Sequence, residues 1–199
     1  MDRVVPIAAV DEVGALGLGA RVVQAADEVL AVAAEDRIAP VQRGDAVIAA
    51  VDVVILVAVA SATASSVTLP QIDGWYAGLE KPWFNPPDWL FGPVWTVLYG
   101  MMAVAGWLVW RDRGLAGARG PLLLFGLQLG LNILWSLIFF GMQQPGLAFA
   151  EISALWIAVA ATMVAFWRVR PLAGWLFVPY LLWVSYAAVL NASVWLLNA

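Results

Sequence analysis

WYAGLEKPWFNPPDWLFGPVWTVLYGMMAVAGWLVW, residues 75–110, decides how the chain is read. Its first half is dense in Trp, Pro and Asn and lacks helical periodicity, so it is a loop. Its second half is an apolar run of the length that enters a bilayer, for which about 20 residues suffice. Pro82, Pro86 and Pro87 fix φ and lower the entropy of the loop. Asn85 precedes a proline and is held to extended geometry. A stiff aromatic loop joined to a membrane helix has the make-up of a cap over an intramembrane cavity, because it orders at small cost.

The flanking sequence supplies four more apolar runs. The expected spans are residues 46–69, ended by Pro70, then 93–110, 121–140, 146–167 and 172–197. The connections RDRGLAGARG, GMQQP and RVRP are short, and only the loop over 70–92 is long. The reading is all-α: an integral membrane bundle of five transmembrane helices over residues 46–199. Composition agrees. Of 199 residues, 63% are hydrophobic and 12% charged, where a soluble domain is about half apolar and a quarter charged. The surplus has to face the lipid bilayer.

Residues 1–45 differ from all of this. They carry eight acidic residues and four Arg among Ala and Val, with no aromatic. Residues 22–38 form an amphipathic pattern whose acidic face is wrong for anionic lipid. The segment is no signal peptide, since its start is not basic and Asp11 and Glu12 interrupt it. It is expected to be a poorly ordered cytoplasmic extension, separate from the membrane domain.

The chain has no Cys and no His. Disulfides, thiolate metal sites and Cys nucleophiles are excluded, as are the commonest general base and metal ligand. No metal site and no required cofactor are expected. A net charge of −4 argues against nucleic acid as a partner. Arg111, Arg113, Arg119, Arg168 and Arg170 fall in two connections that share a side, and Lys81 stands alone on the other. The positive-inside rule then places the N-terminus in the cytoplasm, with the aromatic loop and the C-terminus outside.

Twelve Trp residues are present. Trp107, Trp110, Trp167, Trp175 and Trp195 fit an interfacial belt, and Trp75, Trp83 and Trp89 in the loop can join it. Trp135, Trp156 and Trp183 sit near mid-span and do not, while Trp95 is close enough to the loop to line a cavity mouth. Gln128, Asn132 and Ser136 form a polar line at i, i+4 and i+8 that must face the bundle interior, since an unpaired amide in hydrocarbon is costly. It serves either interhelical hydrogen bonding or a ligand. Trp183, Ala187 and Asn191 repeat the spacing, with Ala187 leaving a gap between two larger side chains. Tyr99 lies one turn below Trp95 and needs an interior partner for its hydroxyl. Gly126 and Gly130 form a GxxxG, which suits close packing inside the bundle or a contact between copies. Asp52 and Glu151 are the acids within spans, and no intramembrane base partners them.

These residues resemble the TspO/translocator family, also called tryptophan-rich sensory proteins or peripheral-type benzodiazepine receptors. WYAGLEKPWFNPPDWLFGPVWTVLYGMM resembles the family's first loop and second helix. LQLGLNILWSLIFFGMQ, residues 127–143, is similar to its third helix, and PYLLWVSYAAVLNASVWLLN, residues 179–198, to its fifth. The likeness covers about residues 47–198. It implies a five-helix bundle, a homodimer, in a bacterial cell membrane. It also implies a pocket under the first loop for porphyrins and other flat apolar ligands, lined here by Trp75, Tyr76, Trp95, Asn132, Trp135, Trp183 and Ala187. With no His or Cys for axial ligation, a metal-free, protoporphyrin IX-like tetrapyrrole fits better than haem. Sterol binding in the family involves a Tyr followed by a basic residue, and this chain has neither Lys nor Arg after Tyr186, so that motif is incomplete. Three functions follow from the resemblance. The first is a sensory or regulatory ligand-binding protein. The second is a light- and oxygen-dependent porphyrin-degrading enzyme, with Trp95 and Trp183 as candidate catalytic residues. The third is a transporter of tetrapyrroles, ranked last because five spans do not divide into equal halves.

Overall fold

The structure is a computed structural model and describes residues 43–199, with side chains from residue 47. The acidic extension expected over residues 1–45 lies outside the described residues but for the last few backbone positions. Among the described residues the elements are α1 (Arg43–Ile72), two single 3-10 turns in the loop (Tyr76–Gly78 and Asp88–Leu90), α2 (Phe91–Gly117), α3 (Arg119–Ser136), a π turn (Leu137–Gly141), α4 (Pro145–Val169), α5 (Pro171–Trp175) and α6 (Val178–Leu197). They make five membrane spans: Val47–Ile72, Asp88–Gly117, Arg119–Gly141, Pro145–Val169 and Pro171–Leu197. All five expected spans are present; four are one to three residues longer than the apolar run, and the second, at 30 residues, extends well beyond it at both ends.

The boundaries differ from expectation where backbone chemistry overrides composition. Pro70 does not end α1 but sits inside it. It falls in the last turn, where one missing N–H forfeits a single backbone bond. α2 runs past Trp110 and breaks at Gly114, whose φ of 66° is open to glycine at no steric cost. The third span changes pitch at its end: Met142 N–H donates to Leu137 C=O at 2.7 Å, closing a π turn. That wider turn lets three consecutive residues, Ile138, Phe139 and Phe140, all be buried. The fifth span starts as α5 after extended Arg170 and is re-formed as α6 beyond Leu176 and Phe177.

The bundle is solid at one end and hollow at the other. At the arginine end, Phe125, Phe166 and Phe177 meet with ring centroids 5.3–6.2 Å apart. Gly106 lets α1 approach α2 there: a Cβ at Gly106 would lie 3.1 Å from Val53 and 3.2 Å from Phe125. Asp112 pairs with both Arg111 and Arg170, at 3.0 and 2.9 Å, joining two connections at that end. These exposed pairs fix position more than they stabilise. At the loop end the helices leave space, and the cavity lies there.

Gly126 and Gly130 are exposed, and a Cβ at either would meet nothing within 4 Å. The GxxxG therefore packs against no helix of its own bundle. Asp52 is also exposed on the outside of α1, whereas Glu151 is buried in α4 with neither carboxylate oxygen hydrogen-bonded.

Candidate ligand-binding pocket

The roof of the cavity is the aromatic loop. Tyr76 is buried and points inward from the first 3-10 turn. Its hydroxyl donates to Asn85 Oδ1 at 2.6 Å, and Asn85 Nδ2 donates to Pro86 C=O at 3.0 Å. Asn85 precedes Pro86, which favours extended geometry at that position, and its amide meets the tyrosine. Lys81 Nζ stands 4.9 Å from the Tyr76 ring centroid. Burial, and then the negative charge of Asp88 and the neighbouring Tyr186, push the Tyr76 phenol well above its ordinary range, so it stays a donor. The loop is fastened to the fifth span. Tyr186 Oη donates to Phe84 C=O at 2.8 Å, and the Asn198 amide exchanges two 3.0 Å hydrogen bonds with the backbone of Glu80. Trp83 and Trp89 project from the top, 95% and 70% exposed.

Below the roof is a cavity of about 210 Å³. α1 contributes the small residues Ser61, Ala64, Ser65 and Thr68, and α2 contributes Trp95, Thr96 and Tyr99. α3 and its π turn add Asn132, Trp135, Ser136, Phe139 and Phe140, and α6 adds Trp183, Tyr186, Ala187, Leu190 and Asn191. The indoles are held by their neighbours. Trp135 stacks on Phe139, centroids 5.2 Å apart and planes 24° off parallel, while its Nε1 donates to Asn191 Oδ1 at 3.1 Å. Asn191 in turn donates to Pro145 C=O at 2.8 Å, fixing the start of α4. Trp95 leans on Tyr99, and Trp183 on Tyr186, at 5.4 and 5.5 Å.

The floor is a hydrogen-bonded bridge across three helices. Tyr99 Oη donates to Asn132 Oδ1 at 2.6 Å, and Asn132 Nδ2 donates to Tyr180 Oη at 3.2 Å. The polar line on the third span is buried as expected, and Asn132 ties helices together while also lining the cavity. Gln128, one turn lower, donates to Met102 Sδ at 3.8 Å, a weak bond, and its Oε1 is unpartnered.

Six of the seven expected pocket residues line the cavity: Tyr76, Trp95, Asn132, Trp135, Trp183 and Ala187. Trp75 stands behind them, edge-on to Phe139 at 5.7 Å. Trp156 turns to the outside of the bundle, its Nε1 donating to Ser185 Oγ at 2.8 Å. Sequence reasoning missed the α1 wall and the two phenylalanines of the π turn. The α1 wall had a signal, since Ser61, Ser65 and the pair Ala64, Thr68 keep helical spacing on one side. The π turn had none. Among the described residues no group of three His, Cys, Asp or Glu could hold a metal.

The TspO/MBR family model matches residues 52–196. The chain is 43% identical over 135 residues to the tryptophan-rich protein TspO of Archaeoglobus fulgidus, covering 68% of this chain and 87% of that one. It is 42% identical over 139 residues to the tryptophan-rich sensory protein of Cereibacter sphaeroides, covering 70% and 85%. It is 46% identical over 123 residues to the human translocator protein, covering 61% and 73%. The matched region takes in the aromatic roof, the amide-bearing third span and the Trp–Ala–Asn face of the fifth, and the chain belongs to the TspO/MBR family of multi-pass membrane proteins.

Proposed function

We propose that this protein is a sensory or regulatory membrane receptor that binds porphyrins and other flat apolar tetrapyrroles in the cavity under its first loop. One observation carries the reading. Three indoles, Trp95, Trp135 and Trp183, converge on a single cavity whose polar groups are amides and hydroxyls. Indole faces suit a flat π-system, and Asn132 and Ser136 suit its polar edge. With no His or Cys in the chain, a metal-free form fits better than haem, and protoporphyrin IX is the representative ligand. Drug-sized ligands occupy about 300–1,000 Å³. At about 210 Å³ the cavity holds part of a macrocycle and leaves the remainder at its open side. A sterol fits less well, because the Tyr186 hydroxyl is committed to the loop and no basic residue follows it.

The copies pair, on this proposal, through the open Gly126–Gly130 face of the third span, where small residues allow close backbone approach. The arginine end faces the cytoplasm and the aromatic roof faces outward.

Titration of the purified protein with protoporphyrin IX should quench Trp fluorescence saturably. A variant combining Trp183→Ala and Asn132→Ala should bind at least tenfold more weakly. Equal affinity in parent and variant would remove the site assignment. A second reading, light- and oxygen-dependent porphyrin breakdown, is favoured by the placement of both Trp95 and Trp183 on the cavity wall. Illumination of the complex separates the two: loss of porphyrin absorbance no faster than for free porphyrin leaves binding alone.

A further inference from the structure

We propose that the cavity is reached sideways from the lipid, through a doorway between α1 and α2 near the loop end, and that the aromatic loop is a fixed roof. The inference rests on the pocket reading above and concerns how a membrane-dissolved flat molecule gets in.

The roof is tied down at separate points. Tyr76 is bonded to Asn85, Phe84 to Tyr186, and Glu80 twice to Asn198. Raising it would break all of these and expose the buried Tyr76. Two flanks are also closed. Between α2 and α6, Trp95 meets Tyr180 edge-on at 6.1 Å and Phe91 meets Trp183 at 6.2 Å. Between α1 and the π turn, the position of a Cβ on Gly141 is only 3.3 Å from Val67.

The flank between α1 and α2 is different. Gly106 and Gly92 lie on the same face of α2, about four turns apart. At Gly106 the helices touch, with Val53 at 3.1 Å from a built Cβ, whereas at Gly92, which lines the cavity, such a Cβ meets nothing within 4 Å. α1 and α2 are therefore in contact at Gly106, and the space beside Gly92 is open. Leu69 on α1 and Thr96 on α2 both line the cavity and are both exposed. Both lie within helices long and apolar enough to cross a membrane, and on this proposal their exposed faces meet lipid. The small residues Ser65, Thr68 and Gly92 also line the cavity, and on this proposal they form the sill of a slot that a planar ring system enters edge first.

The chain's lack of cysteine makes the test clean. One double variant, Leu69→Cys with Thr96→Cys, is bridged across the doorway by a short bis-maleimide. A second, Glu80→Cys with Asn198→Cys, is bridged across the roof. Stopped-flow Trp quenching with protoporphyrin IX in phosphatidylcholine vesicles gives association, and transfer to acceptor vesicles gives dissociation, each compared with the same variant unbridged. The doorway bridge should slow both rates at least tenfold, and porphyrin loaded before bridging should be retained. The roof bridge should leave both rates within twofold. A roof bridge that slows the rates, or a doorway bridge that does not, overturns the doorway while saturable quenching keeps the pocket. A doorway bridge that weakens affinity without slowing release shows an occupied site and also overturns it. Absence of saturable quenching in the parent protein overturns the pocket reading and the doorway with it.

Discussion

At the scale of single residues, Asn132 has the most to do. Its amide accepts from Tyr99 and donates to Tyr180 while facing the cavity. Asn132→Leu keeps the volume and removes both bonds. Hydrogen bonds between membrane helices average about 0.6 kcal/mol, with a maximum near 1.7, so losing two should destabilise the bundle by about 1–2 kcal/mol in a reversible detergent unfolding assay. Porphyrin affinity should fall in the same variant. Tyr76 gives a pH dependence. Its folded-state phenol is raised above the ordinary value, which is about 10, so its stabilising contribution is complete below pH 10 and is lost only as pH rises beyond that. Proteolytic protection of the loop should be flat from about pH 6 to 9 and fall only in stronger alkali; a loss of protection near neutrality would contradict this. Tyr76 was named by the family resemblance alone, whereas Trp95, Asn132, Trp135 and Trp183 were legible in the sequence for a physical reason: an amide or indole in hydrocarbon must find a partner. Trp75 was not, because adjacent residues at a 3-10 turn face different ways and composition does not say which faces in. Tyr76 takes the cavity and Trp75 the layer behind it.

At the scale of elements, the π turn Leu137–Gly141 sets the shape of the cavity. An α-helix turns about 100° per residue, so removing the extra residue would swing Phe139 and Phe140 off the wall they now form. Deletion of Leu137 should leave the helical content by circular dichroism nearly unchanged and weaken porphyrin binding at least tenfold. Unchanged affinity would mean that the turn is incidental to the site. Nothing in LIFF announces this geometry. Four consecutive apolar residues suit any helical pitch, and the choice is made by what they pack against, Trp135 and Tyr76. Pro70 was misread for a related reason. Proline is a stop signal in a helix interior, but in a last turn little remains to be broken. The span count, by contrast, was fully legible, because five apolar runs separated by charged or proline-bearing connections leave no other arrangement in a bilayer.

At the scale of the whole molecule, the division between a solid arginine end and a hollow loop end organises everything else. The phenylalanine cluster and the Val53–Gly106 contact hold the helices together at one end, so the other end can enclose space without the bundle falling apart. The open glycine face of α3 is the surface through which we propose that two copies pair. Gly126→Leu with Gly130→Leu should lower the dimer fraction seen by chemical cross-linking in membranes, with pocket affinity retained, since neither glycine lines the cavity. The most direct test of the central claim uses the twelve tryptophans as reporters. Each indole gives its own Nε1–H resonance, and assigned ¹⁵N spectra can follow them all as protoporphyrin IX is added. Saturable shifts in Trp95, Trp135 and Trp183, with Trp107, Trp110, Trp167 and Trp175 unmoved, are the expected result. Shifts confined to those four, or spread evenly over all twelve, would mean that the porphyrin only dissolves in the surrounding lipid and that the cavity is not its site.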